Sequence, residues 1–227
     1  WHNGNKKYTW VYDITDDDAF IPGIQITVSG GADAAGNSPT DEYYPQLLDI
    51  DMQDPTVANI VVSGIGTDDK ITDADAGATC TITATFSEEM TSDFPSISFS
   101  PDIGGTLSSP NVSWNAGGDA ITWEYTIVDN AITALGVDIT ISDASDIVGN
   151  PMQASFTDPD KFMVDTENPM VSIQASQIVV NKSEVGSQFS IEFTFSEEVQ
   201  NYPPTINFNP SVGTTLANGN GTWNNAN

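Results

Sequence analysis

Segments of this sequence recur at offsets of 109 to 114 positions, and no other feature limits its fold so sharply. Trp123-Glu124-Tyr125 answers Trp10-Val11-Tyr12, and Asp146-Ile147-Val148-Gly149-Asn150 answers Asp33-Ala34-Ala35-Gly36-Asn37. Phe195-Ser196-Glu197-Glu198-Val199 answers Phe86-Ser87-Glu88-Glu89-Met90, and Trp223-Asn224 answers Trp114-Asn115. Solenoid units are roughly 20–50 residues long. A unit of about 110 residues is instead the size of one small all-β domain, so the sequence predicts similar domains joined end to end.

Ile50-Asp51-Met52-Gln53-Asp54-Pro55 and Val164-Asp165-Thr166-Glu167-Asn168-Pro169 mark the joints. A proline after an acidic turn ends one element and starts the next in an extended conformation. The expected division is the C-terminal half of one repeat at 1–51, a complete repeat at 52–165 and the N-terminal half of the next at 166–227. The chain opens on Trp1, equivalent to Trp114, and stops just past Trp223, so the two halves are complementary. That reads as a window on a long repeat array or fibre; the second reading is separate chains completing one another head to tail by strand addition.

Within the complete repeat, apolar residues alternate rather than recur at helical spacing. Cys80, Ile82, Ala84 and Phe86 alternate with Thr79, Thr81, Thr83 and Thr85, and Phe189, Ile191, Phe193 and Phe195 keep the inward register in the next copy. Ile60-Val61-Val62, Ile97-Ser98-Phe99, Trp123 to Ile127, Val137 to Ile141 and Phe162-Met163-Val164 read as further strands. About seven short strands separated by Gly, Pro, Asn and Asp predict an all-β, immunoglobulin-like β-sandwich. The inward register of Cys80 makes it a buried core thiol.

Charge and composition then exclude several functions. The 227 residues carry 32 Asp and Glu against 5 lysines and no arginine, a net charge of −27. Nucleic acid is excluded as a partner, because phosphate binding needs clustered cations. The 10 Phe, 6 Tyr and 5 Trp are too much apolar bulk for an acidic disordered chain. No run approaches the roughly 18 apolar residues of a membrane span, and a single cysteine excludes an intrachain disulfide. His2 has no nucleophile motif around it, and no Gly-x-Ser-x-Gly, His-Glu-x-x-His or phosphate-binding glycine loop occurs. Adjacent glutamates such as Glu88 and Glu89 point to opposite faces of a strand, unlike the opposed carboxylates of a glycosidase. The chain is not expected to be an enzyme.

Sandwich topology turns positions into places. The first strand starts at the pole facing the preceding domain, and the turn after the second strand and the loop before the last return to that pole. Asp51, Asp54, Glu88, Glu89, Asp146 and Asn150 therefore gather at one end, with Glu197 and Glu198 equivalent to the glutamate pair in the next copy. The opposite pole carries Asp68 to Asp75 and faces the next linker at Asp165 and Asn168; Asp75 becomes Glu184 in the next copy and keeps its carboxylate, whereas Asp73 becomes Lys182. Clustered carboxylates repel unless a cation neutralises them, and Ca2+ takes six to eight hard oxygens. With the His and Cys ligands of zinc nearly absent, Ca2+ is the expected ion. The competing role of such a cluster is solubility, to which Asp16-Asp17-Asp18, Asp158 and Asp160 are assigned.

The linker motif, the Phe-Ser-Glu-Glu corner and the Asp-x-x-Gly-Asn loop, in this order over essentially the whole chain, resemble the tandem bacterial Ig-like repeats of giant secreted adhesins. The acidic linker is also similar to those of cadherins. The resemblance implies an extracellular, cell-surface extender stiffened by Ca2+ at its joints, whose partners are neighbouring repeats and, through a terminal module, a glycan or another cell. The alternative is a carbohydrate-binding module using Trp1, Trp10, Tyr43, Tyr44 and Tyr202. Against it, Trp10 with Trp123, and Trp114 with Trp223, recur as packing positions would.

Overall fold

The computed structural model describes residues 7–38, 40, 42, 43 and 48–224. Trp1, His2 and Tyr44 lie outside the described residues, as does the side chain of Tyr43. The chain divides into two compact units, Trp1–Thr166 and Glu167–Asn227.

The first unit opens with two short ribbons: β1 (Phe20–Ile24) pairs antiparallel with β4 (Leu48–Asp51), and β2 (Thr27–Val28) with β3 (Glu42–Tyr43). Eight strands follow: β5 (Val57–Ser63), β6 (Lys70–Thr72), β7 (Thr79–Phe86), β8 (Ser96–Ser100), β9 (Asn111–Trp114), β10 (Ala120–Thr126), β11 (Thr133–Ser142) and β12 (Phe156–Asp165). They form two four-stranded sheets, in the orders β5-β7-β10-β9 and β6-β12-β11-β8. Every pairing within them is antiparallel except that of β6 with β12.

One core lies between the sheets. Strand alternation sends Ile60, Ile82, Ala84, Phe86, Ile121 and Trp123 inward from the first sheet, and Ile71, Val137, Ile139, Ile141, Phe162 and Val164 inward from the second. Each large side chain so buried contributes roughly 1.5–3 kcal/mol, which is why the threonines between them stay on the wet face. Cys80 is fully buried in this core. The chain departs from the expected seven strands at Gly64. Its φ of +79° belongs to glycine, and a Cβ there would run into the carbonyl oxygen of Thr79. The chain leaves the first sheet at this point and adds β6 to the second, a strand of three residues that is too short to show a period in the sequence.

The second unit carries β13 (Val171–Ala175) paired antiparallel with β14 (Ile191–Phe195). Ile191, Phe193 and Phe195 alternate half-buried along β14 with exposed Glu192 and Thr194. No helix among the described residues is long and apolar enough to cross a membrane, which says nothing of β-barrels.

Local geometry recurs at the sequence offsets. The pairs Val171↔Phe195 and Ile173↔Phe193 repeat Val57↔Phe86 and Ile60↔Ala84. The pairs Phe20↔Asp51, Ile21↔Ile50 and Ile24↔Leu48 repeat Thr133↔Asp165, Ala134↔Val164 and Val137↔Phe162, with the same register shift after the second pair. The rings of Phe86 and Trp114 stand 5.7 Å apart at 44°, and those of Phe195 and Trp223 6.0 Å apart at 43°.

Candidate metal centre

The corner after β7, the loop between β11 and β12 and the segment before β5 meet at one end of the sandwich. Ser87 latches the corner to the start of β5: its N–H donates to Thr56 O at 2.9 Å and its Oγ accepts from Thr56 N at 3.0 Å. Ile147 N donates to Glu89 O at 3.1 Å, Thr91 N donates to Ser145 O at 3.0 Å, and Met90 and Asp146 form an isolated bridge. Asn150 Nδ2 reaches back to donate to Asp51 O at 3.2 Å, fastening the preceding segment to the loop.

Asp146 is fully buried, and the loop folds around its carboxylate. Its Oδ1 accepts the N–H groups of Val148, Gly149 and Asn150 at 2.9, 2.6 and 2.8 Å, and its Oδ2 accepts Asn150 Nδ2 at 2.8 Å. Gly149 makes the turn at φ +105°, a conformation that disfavours any other residue. The same turn forms at Asp33, whose Oδ1 accepts Ala35 N and Asn37 N at 2.9 and 2.8 Å and whose Oδ2 accepts Asn37 Nδ2 at 2.9 Å. The Asn37 side chain, with the backbone donors, holds the Asp33 carboxyl below its ordinary value. The Asp-x-x-Gly-Asn motif is thus first a loop-forming device.

Carboxylate oxygens of Asp51, Glu88 and Asp146 all lie within 4.8 Å of one another. Among the described residues, these are the side chains that come together in this way. Desolvation pushes the Glu88 carboxyl above its ordinary value, and the negative charges of Asp146, Asp51 and Asp54 push it further. A cation relieves both effects. Ligand distances of about 2.3–2.6 Å set opposite oxygens of one Ca2+ shell about 4.6–5.2 Å apart, so this spacing fits a single ion. The donors are oxygen throughout, and the one cysteine is in the core. The residues therefore fit a hard divalent cation better than zinc.

The other expected ligands are placed differently. Asp54 is close enough to act on Glu88 but is not one of the three. Glu89 is exposed, with its stem against Gly118. Asp75 closes a short 3-10 turn, its Oδ2 accepting Thr72 N at 2.8 Å and Thr72 Oγ1 at 3.0 Å. Glu184 does the same for Asn181 N at 2.7 Å, which is a capping reason for the recurring carboxylate. Asp165 Oδ2 pairs with Lys70 Nζ at 2.8 Å, and its Oδ1 accepts Thr133 Oγ1 at 3.3 Å. In the second unit, Asn168 and Glu198 are exposed, while Glu197 is half-buried with an Oε1 that has no hydrogen-bond partner.

One contributor escaped the sequence reading. The latch of Ser87 recurs one repeat later, where Ser196 exchanges the same two bonds with Met170 at 2.9 Å each. Its signal was the serine kept in both Phe-Ser-Glu-Glu corners. Asn150 enters through its amide N–H, as a strut between Asp51 and Asp146 rather than as an oxygen donor. Comparison of the chain with protein-family models, with curated proteins and with solved structures finds no match.

Proposed function

We propose that this chain is a structural segment of a bacterial cell-surface, adhesin-like protein: immunoglobulin-like repeats in tandem, outside the cell, stiffened by Ca2+ at their joints. With β5 and β6 taken as two halves of a first strand, the sheets hold strands 1, 2, 5, 4 and 1, 7, 6, 3. That order supports an immunoglobulin sandwich. The recurring register, ring pairs and serine latches support the tandem reading.

The observation that carries the proposal is the origin of the three carboxylates. Asp51 comes from the segment before the sandwich, whereas Glu88 and Asp146 come from two loops of the sandwich itself. An ion held by all three joins that segment to the pole and removes the repulsion between them. Glu88 holds the ion only when ionised, Asp146 is already oriented by its loop, and Asp51 is steered by the Asn150 strut. Calorimetric unfolding in Ca2+ and in EDTA tests the calcium part, and an unchanged melting temperature removes it. Trp10 and Tyr202, 63% and 75% exposed, are what favours the carbohydrate-binding alternative, and a glycan array tests that.

A further inference from the structure

Tension along a string of repeats enters the sandwich before β5 and leaves it after β12, so it loads the contacts between the first strand and the last. Because the chain crosses at Gly64, the first strand is held by both sheets: β5 pairs with β7 in one, and β6 with β12 in the other. The β6–β12 pairing is parallel, with Lys70 opposite Met163, Ile71 opposite Val164 and Thr72 opposite Asp165. A parallel pair pulled at the start of one strand and the end of the other slides along its length, which loads all its bonds at once. Residues 52–165 include two lysines and no other cationic side chain. Both lysines tie the first strand to the last. Lys70 Nζ on β6 pairs with Asp165 Oδ2 on β12 at 2.8 Å. Lys161 Nζ on β12 donates to Ile60 O on β5 at 2.8 Å and pairs with Asp158 Oδ2 at 2.9 Å. The two cross-strand contacts span 95 and 101 positions, one for each half of the first strand.

We propose that β5, β6 and β12 form a mechanical clamp, closed by Lys70 and Lys161, that resists extension of the repeat under tension. The sandwich lengthens only after β6 has slid off β12, and both lysine contacts break in that movement. In a chain of net charge −27 most surface positions would offer a cation a carboxylate, yet both lysines stand where the first and last strands meet. With 30% and 23% of their side chains exposed, they are partly shielded from screening by salt. Forced unfolding is governed by the unfolding rate, so contacts that break before the barrier is crossed act on it directly. The clamp rests on the tandem reading, which places the load on these strands, and does not depend on Ca2+.

The test stretches the whole chain, held by its two ends in optical tweezers, in EDTA. Unfolding of the sandwich releases about 110 residues, a lengthening of about 35 nm at roughly 3.3–3.6 Å per residue less the folded length. The same step reports that each variant is folded. Lys70→Met and Lys161→Met keep an unbranched apolar side chain and remove the ammonium. Each is expected to raise the unfolding rate at constant force by up to about fivefold, and the double variant by more than either. Asn111→Ala removes a surface bond of 3.2 Å between β9 and β10, away from the strands where the load enters and leaves, and is expected to change nothing. Lysine variants that unfold at the wild-type rate, or an Asn111→Ala chain that speeds up as much as they do, overturn the clamp while the 35 nm step upholds the repeat division. A chain without that step overturns the repeat division and the clamp together.

Discussion

Glu88→Gln is expected to have opposite effects with and without Ca2+. In the metal-free chain, Glu88 sits within 4.8 Å of two other carboxylates. At that separation a unit-charge pair repels by about 0.9 kcal/mol in a water-like dielectric. Screening at physiological salt takes away a little under half. Two relieved pairs are then worth at least about 1 kcal/mol, because Asp51 and Glu88 are half-buried while Asp146 is fully buried and its charge is screened less. For a domain of about 110 residues that is a rise in melting temperature of about 4 °C. In millimolar Ca2+ the wild type gains stability by ligand linkage, and Glu88→Gln, with one carboxylate fewer and no charge at that position, loses most of the gain. The assay is differential scanning calorimetry of both chains in EDTA and in Ca2+. A Glu88→Gln chain that melts lower than wild type in EDTA refutes the repulsion, and one that keeps the full Ca2+ gain refutes the site.

Further outcomes follow from the same geometry. Asp146→Ala strips the acceptor from three backbone N–H groups and from Asn150, and at about 1.5–3 kcal/mol for a bond to a charged group, less than additive, it destabilises by about 3–5 kcal/mol in chemical denaturation even in EDTA. The raised Glu88 carboxyl means that the folded chain binds this proton more tightly than the unfolded chain does. The stability it contributes is fully present below the unfolded value and is lost as pH rises through the raised one. The advantage of Glu88→Gln in EDTA therefore shrinks on acidification, and calorimetric Ca2+ affinity falls with it. Burial pushes the Cys80 thiol up to about 11, so a thiol reagent at pH 8 modifies Cys80 only in unfolded protein, and mass spectrometry reads the fraction modified.

The strand from Thr79 to Phe86 was legible because burial on one face imposes a period of two, and its residues alternate buried and half-exposed as read. The meeting of Asp51, Glu88 and Asp146 was legible because topology alone returns those turns to one end. β6 was not, since a three-residue strand carries no period and its crossing depends on the backbone of one glycine. The Lys70–Asp165 pair spans 95 positions and exists only through the parallel pairing of β6 with β12. A carboxylate recurring at Asp75 and Glu184 has two physical causes, ligation and capping, that look alike in sequence; the hydrogen bonds identify the capping contacts. Ser87 and Ser196 recurred in plain sight, but their partners Thr56 and Met170 share no residue type, so the latch had no visible second half.

The proposed Ca2+ joins the segment before the sandwich to its pole through Asp51, Glu88 and Asp146. A crystal structure of the chain grown in millimolar Ca2+ tests it directly. A strong anomalous peak is expected about 2.3–2.6 Å from an oxygen of each of the three carboxylates, within a shell of six to eight oxygens. A well-ordered pole with no peak among them contradicts it.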